Sequence, residues 1–169
     1  NTTGVQNVVI GRKAAYSGTS ASNLVVIGRE AGEKISTGSS NVVIGGRAGY
    51  NITKGAENVM IGQNAGYNYA GTTSGVYGAF GVFVGHAAGY SATGADRSTG
   101  LGASALYYAD GAKYNTAVGR VAGAYAKGTG STHVGDSSGY RISGNYNTSI
   151  GFAALSGASS GTGYGTAQQ

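Results

Sequence analysis

One repeated pattern limits what this chain can fold into. A β-branched or aliphatic residue stands directly before a glycine at Ile10, Ile27, Ile44, Ile61, Val84, Leu101, Val118, Val134 and Ile150, at steps of 17, 17, 17, 23, 17, 17, 16 and 16 residues. With this position numbered zero, position −2 reads Val8, Val25, Val42, Val59, Val82, Thr99, Thr116, Thr132 and Thr148. Position +4 reads Ala at eight sites and Ser138 at the ninth. A fixed period of this length is the mark of a repeat architecture in which each unit buries its apolar stripe only against its neighbours. No window carries apolar spacings of three and four over three turns, so helices fit poorly.

The column chemistry suggests how one coil is built. Positions −2 and 0 share a strand face. Both are mostly apolar, so Val8, Ile10, Val25, Ile27, Val42, Ile44, Val59, Ile61, Val82, Val84, Leu101, Val118, Val134 and Ile150 are expected to form the interior. The frequent Asn at −3 (Asn7, Asn41, Asn58, Asn115, Asn147) and the residue at −1 are then expected to face out. The Gly at +1 marks a bend. A second Gly column, including Gly38, Gly55, Gly94, Gly111, Gly128 and Gly144, closes the other turn. Nine coils stacked at ~4.8 Å make a rod roughly 43 Å long. The whole of 1–169 reads as one repeat domain, with an inserted loop at 68–80 and a degenerate last coil or tail at 156–169. The pattern is already under way at Asn1, as in a piece of a longer chain.

Composition excludes several classes. Gly is 34 of 169 residues and Pro is absent, which rules out collagen. Thirteen Tyr and many β-branched residues argue against disorder. The net charge of +5 is spread along the chain without a basic run, so no nucleic-acid surface is expected. There is no Cys, and no apolar run long enough to enter a membrane.

An outward apolar column at −1 (Val9, Val26, Val43, Met60, Phe83) would leave a large patch on a lone chain, so an oligomer is expected. Asn41-Val42-Val43-Ile44-Gly45 and its copies resemble the head repeat of YadA-like trimeric autotransporter adhesins. Ile61-Gly62-Gln63-Asn64-Ala65-Gly66-Tyr67 is similar to repeats of trimeric bacteriophage tail fibres and secreted fibre proteins. The resemblance implies a left-handed parallel β-roll or β-solenoid of about nine coils, a homotrimer, and an extracellular fibre on a cell surface or virion. It also implies attachment to a cell-surface glycan or protein receptor. The 16–17-residue coils and the change from Val to Thr at −2 depart from the adhesin pattern.

Three candidate sites stand beside plainer readings. Tyr16, Tyr50, Tyr67, Tyr90, Tyr107 and Tyr140 share column +6, which gives either a sugar-binding face or a packing ladder. The insertion offers Tyr69, Tyr77 and Phe80 as ligand contacts, or else only re-registers the roll. Arg12, Arg29 and Arg47 form either a basic ladder for anionic groups or a solvated face. Catalytic, metal-ligating and cofactor-binding residues are not expected. The carboxylates are scattered and His86 and His133 lie three coils apart, so a polysaccharide-degrading tailspike is the weaker alternative. An ice-binding solenoid is a further alternative. It would need Thr99, Thr116, Thr132 and Thr148 to face out, whereas they are expected to face in.

Overall fold

A computed structural model describes residues 3–69 and 80–157. Nine three-residue strands form one parallel sheet in sequence order: β1 (Val8–Ile10), β2 (Val25–Ile27), β3 (Val42–Ile44), β4 (Val59–Ile61), β5 (Val82–Val84), β6 (Thr99–Leu101), β7 (Thr116–Val118), β8 (Thr132–Val134) and β9 (Thr148–Ile150). Every pairing keeps the repeat in register, as in Val42↔Val59, Val43↔Met60 and Ile44↔Ile61. The described residues therefore form an all-β solenoid with no helix, as the repeat predicts.

Turns make up the rest of each coil, and they stack as regularly as the strands. Gly45 N–H donates to Ile27 O at 2.8 Å and Arg47 N–H to Arg29 O at 2.9 Å. Gly49 N–H donates the other way along the rod, to Ala65 O at 2.8 Å. The corners need left-handed backbone. Position +3 has φ between 51° and 60° in every described coil, whether it is Lys13, Glu30, Arg47, Asn64, Ala87, Ser104, Val121, Ser137 or Ala153. At +1 the turn is tighter still. Gly62 has φ +130°, and a Cβ there would lie 2.5 Å from Gly85 O in the next coil, so both backbone angle and clearance demand glycine.

The strand faces are the reverse of the expectation. The middle residue of each strand points in: Val26, Val43, Met60, Phe83, Ala117, His133 and Ser149 are fully buried. The flanking positions point out. Val25, Ile27, Val42, Ile44, Val59, Ile61, Val82, Val84 and Val134 are half-buried, while Val8, Ile10, Leu101, Val118 and Ile150 are exposed. Those fourteen side chains are thus an outer apolar face and not the core. Val9, in a strand with one neighbour only, is exposed as well.

The reason lies in position −3, which shares its parity with −1. Asn41, Asn58 and Asn115 are buried, not exposed as expected. Their amides complete the interior of the turn. Asn41 Nδ2 donates to Gly55 O at 2.8 Å, and Asn41 Oδ1 accepts from the backbone N–H of Asn58 at 3.0 Å. Asn58 Oδ1 accepts from Gly81 N–H, and Asn115 Oδ1 from Ser131 N–H. An inward polar residue is tolerated because each coil supplies the backbone groups it needs. The expected small Ala column at +4 does line the interior, with Ala31, Ala48, Ala65, Ala88, Ala105 and Ala122 fully buried. Ile35, Ile52, Tyr69 and Ile142, each eight residues past position zero, fill the opposite side.

In several coils interior volume is shared between positions −1 and +5. Where −1 is large, as in Val43, Met60, Phe83 or His133, +5 is Gly49, Gly66, Gly89 or Gly139, and an added methyl would press on that same side chain. Where −1 is Gly100, +5 is the fully buried Leu106. This compensation keeps a thin coil filled to normal interior density.

Candidate functional site

The basic ladder is built, but it is not free. Arg12, Arg29 and Arg47 come from three successive coils and converge on the one carboxylate of Glu30. Arg12 Nη2 reaches Oε1 at 2.8 Å, Arg47 Nε reaches Oε2 at 2.7 Å, and Arg29 Nη1 lies 3.3 Å from both oxygens. The hydrogen bond from Arg47, with the charges of Arg29 and Arg12 behind it, outweighs burial and holds the Glu30 carboxyl below its ordinary range. The three guanidiniums are spent on a structural clasp, and Glu30 is the member that reading the Arg column alone misses. Its position gives the signal, since Glu30 stands at +3 between Lys13 and Arg47.

Around the insertion, Tyr69 is not a surface contact. It is fully buried, with its ring edge-on to Phe83 at 5.1 Å between centroids. Burial, with Asp96 nearby, pushes its hydroxyl far above the usual phenol range. Phe80 is partly exposed, and the Arg97 guanidinium lies 5.6 Å from its ring centre. Tyr77 lies outside the described residues.

The Tyr column forms a continuous ladder over four coils. Tyr50, Tyr67, Tyr90 and Tyr107 stack at 5.1, 5.1 and 5.0 Å with interplanar angles of 5–11°. Stacking at the coil repeat covers the ring faces with other rings, so the middle of the ladder shows only edges and hydroxyls. Packing is therefore its role over Tyr50–Tyr107. The column then breaks. Position +6 of the next coil is Ala124, and the Tyr125 ring beside it tilts across the gap at 6.3 Å from Tyr107 and meets Tyr140 at 5.6 Å and 80°.

Three other acids are tied down as well. Asp96 pairs with Lys113 at 3.1 Å, Asp136 with Arg120 at 2.9 Å, and Asp110 accepts from the Thr93 hydroxyl. No group of three His, Asp or Glu that could hold a metal occurs among the described residues, and none of their helices is long and apolar enough to cross a membrane. His133, at an inward position, is fully buried. Its Nδ1 is 2.7 Å from Ser149 Oγ, which lies 2.7 Å from Ser138 Oγ, while Nε2 has no partner among the described residues. Desolvation lowers its pKa to about 4. Comparison with protein-family models, curated proteins and solved structures finds no match for this chain.

Proposed function

We propose that this chain is a structural and receptor-binding segment of an extracellular adhesive fibre, in which three copies pack side by side and attach to a cell-surface glycan or protein. The observation that carries the proposal is the outward strand face. Val25, Ile27, Val42, Ile44, Val59, Ile61, Val82 and Val84 form two parallel apolar columns, in register across β2–β5, that a single chain leaves half-buried. A continuous apolar strip of this kind is what sister chains would cover. A thin coil also gains the most from such burial. The fibre contributes attachment and no catalysis. Glu30, Asp96 and Asp136 are held in ion pairs, and three copies per fibre raise avidity where single contacts are weak.

Light scattering on the purified protein tests the assembly. A three-chain mass that falls to one chain in Ile44→Asp supports it, and a one-chain mass for the unaltered protein at micromolar concentration sinks it. Binding of labelled protein to intact bacterial or host cells tests the attachment.

A second reading has gained a specific observation. Thr99, Thr116, Thr132 and Thr148 face outward, half-buried or exposed, and stand opposite one another in β6–β9. The inward placement that counted against an ice-binding solenoid is overturned. A flat ladder of hydroxyl and methyl groups at ~4.8 Å intervals can order water. Thermal hysteresis of the purified chain decides this reading, and a freezing point equal to the melting point removes it.

A further inference from the structure

The interruption of the tyrosine ladder opens a groove, and the groove has the chemistry of a sugar site. Its volume is about 570 Å³, within the range of small-molecule sites. One wall is aromatic: Tyr90, Tyr107, Tyr125 and Tyr140. Asn64, Ser104 and the exposed His86 also line the groove. We infer that this groove binds a neutral saccharide, with a pyranose ring against the tyrosines at the missing rung.

Three observations support the assignment. First, the stack of parallel rings ends here. Further up the ladder each inner ring is covered by its neighbours at about 5 Å, whereas Tyr107 has Tyr90 stacked on one side, Tyr108 edge-on at 4.7 Å, and the tilted Tyr125 ring 6.3 Å away. Tyr107 and Tyr140 belong to coils two steps apart, a separation of roughly 10 Å along the rod at the ~4.8 Å spacing of stacked strands. The apolar C–H face of a sugar ring suits such a surface, and its hydroxyls suit a tyrosine rim. Second, the rest of the lining includes polar side chains. Asn64, His86 and Ser104 offer an amide, an imidazole and a hydroxyl at rungs one coil apart, a spacing that suits successive hydroxyls of one ring or of two linked rings. Third, no Asp, Glu, Lys or Arg is among the described residues that line the groove. The Arg141 guanidinium is stacked on Tyr125 and Tyr140 at 5.6 and 5.2 Å. Anionic glycans and phosphates find no counter-charge in the lining, which selects a neutral sugar.

The inference deepens the fibre reading by naming a receptor chemistry, yet its test does not depend on assembly or on cells. Maltotriose, chitotriose and cellotriose would be titrated into the unaltered protein, with sialyllactose as the charged comparison. Saturation-transfer NMR and tyrosine fluorescence would report binding. At least one neutral trisaccharide is expected to bind in the millimolar range or tighter, and sialyllactose at least tenfold more weakly. Ala124→Tyr, which places a ring at the vacant rung, is expected to reduce binding at least tenfold. His86→Ala, an exposed change that leaves the coil intact, is expected to weaken binding severalfold and keeps the test open if Ala124→Tyr does not fold. No saturation transfer from any of the three neutral sugars, stronger binding of sialyllactose, or unchanged binding in His86→Ala overturns the inference. A groove that fails this test leaves the three-chain mass and cell-attachment results standing on their own.

Discussion

Met60 and Gly66 occupy one small volume of the interior, and a methyl added to Gly66 would overlap the Met60 thioether. A similar division holds at Val43 with Gly49, Phe83 with Gly89 and His133 with Gly139, whereas Gly100 is paired with the buried Leu106 and Ala117 with Gly123. Leu106 fills space beside Gly123 of the next coil, where an added Cβ would lie 2.9 Å from its Cδ2. Leu106→Ala is expected to cost about 2–5 kcal/mol in urea unfolding, the range for emptying a packed site. Gly123→Ala would bring a Cβ to 2.9 Å from Leu106 Cδ2, so the double variant with Leu106→Ala is expected to cost less than the sum of the two single changes. A double-mutant cycle giving purely additive effects would show that the two positions do not share a volume.

The +1 glycines predict a harsher result. Gly62→Ala must accommodate both a φ near +130° and a 2.5 Å approach to Gly85 O. Backbone strain and steric displacement together are expected to cost about 3 kcal/mol or more. Hydrogen exchange should accelerate first in the amides of β4 and β5, because the damage lies between those coils. Exchange unchanged there would mean that the stack adapts at this corner.

Sequence reading recovered the coil but reversed its faces, and the reason is physical. In the first five coils both sides of the strand are apolar, as with Val59 and Ile61 flanking Met60, so hydrophobicity alone cannot choose the parity. The asparagine at −3 then tipped the choice the wrong way, because a buried amide that caps neighbouring coils looks like a solvated one in sequence. The informative signal is the reciprocal size of −1 and +5, which is meaningful only for two side chains sharing an interior. The tyrosine ladder was legible because identical residues at a fixed period must stack. Its functional consequence was not, since it depends on the break at Ala124 and on how the Tyr125 ring lies there.

Val121 is the one β-branched residue among the left-handed corners, at φ +60°. That conformation costs roughly 1–2 kcal/mol in an L-residue with a branched Cβ. Val121→Asn, which copies Asn64 three coils earlier in the same column, is expected to raise stability by about 1 kcal/mol and so to raise the melting temperature. A lower melting temperature would mean that packing of the Val121 methyl groups outweighs the strain.

Glu30 holds three arginines from three coils, so Glu30→Gln leaves like charges stacked along the rod. Stability is expected to fall at low salt and to recover partly as salt screens the repulsion. The variant is also expected to bind heparin on a column where the unaltered chain elutes early, because the guanidiniums are then available to an anion. Identical elution of the two proteins would show that Glu30 does not govern the availability of these arginines.

His133 makes the rod acid-sensitive. Its pKa lies near 4 in the folded chain and near 6.5 in an unfolded one, so the unfolded state binds the proton more readily between those values. Above pH 6.5 both states are neutral at this side chain and folding bears no penalty. As pH falls from about 6.5 to about 4 the penalty grows, and below about 4 both states are protonated and it levels off. The full loss is on the order of 3 kcal/mol. Thermal unfolding of the unaltered protein should therefore show a falling midpoint across that window. His133→Val, which copies the residue at the same position in coils 2 and 3, should flatten this part of the profile at any absolute stability. An equally steep decline in the variant would assign the acid sensitivity to the carboxylate clasps at Glu30 and Asp136 instead, whose protonation breaks ion pairs at lower pH.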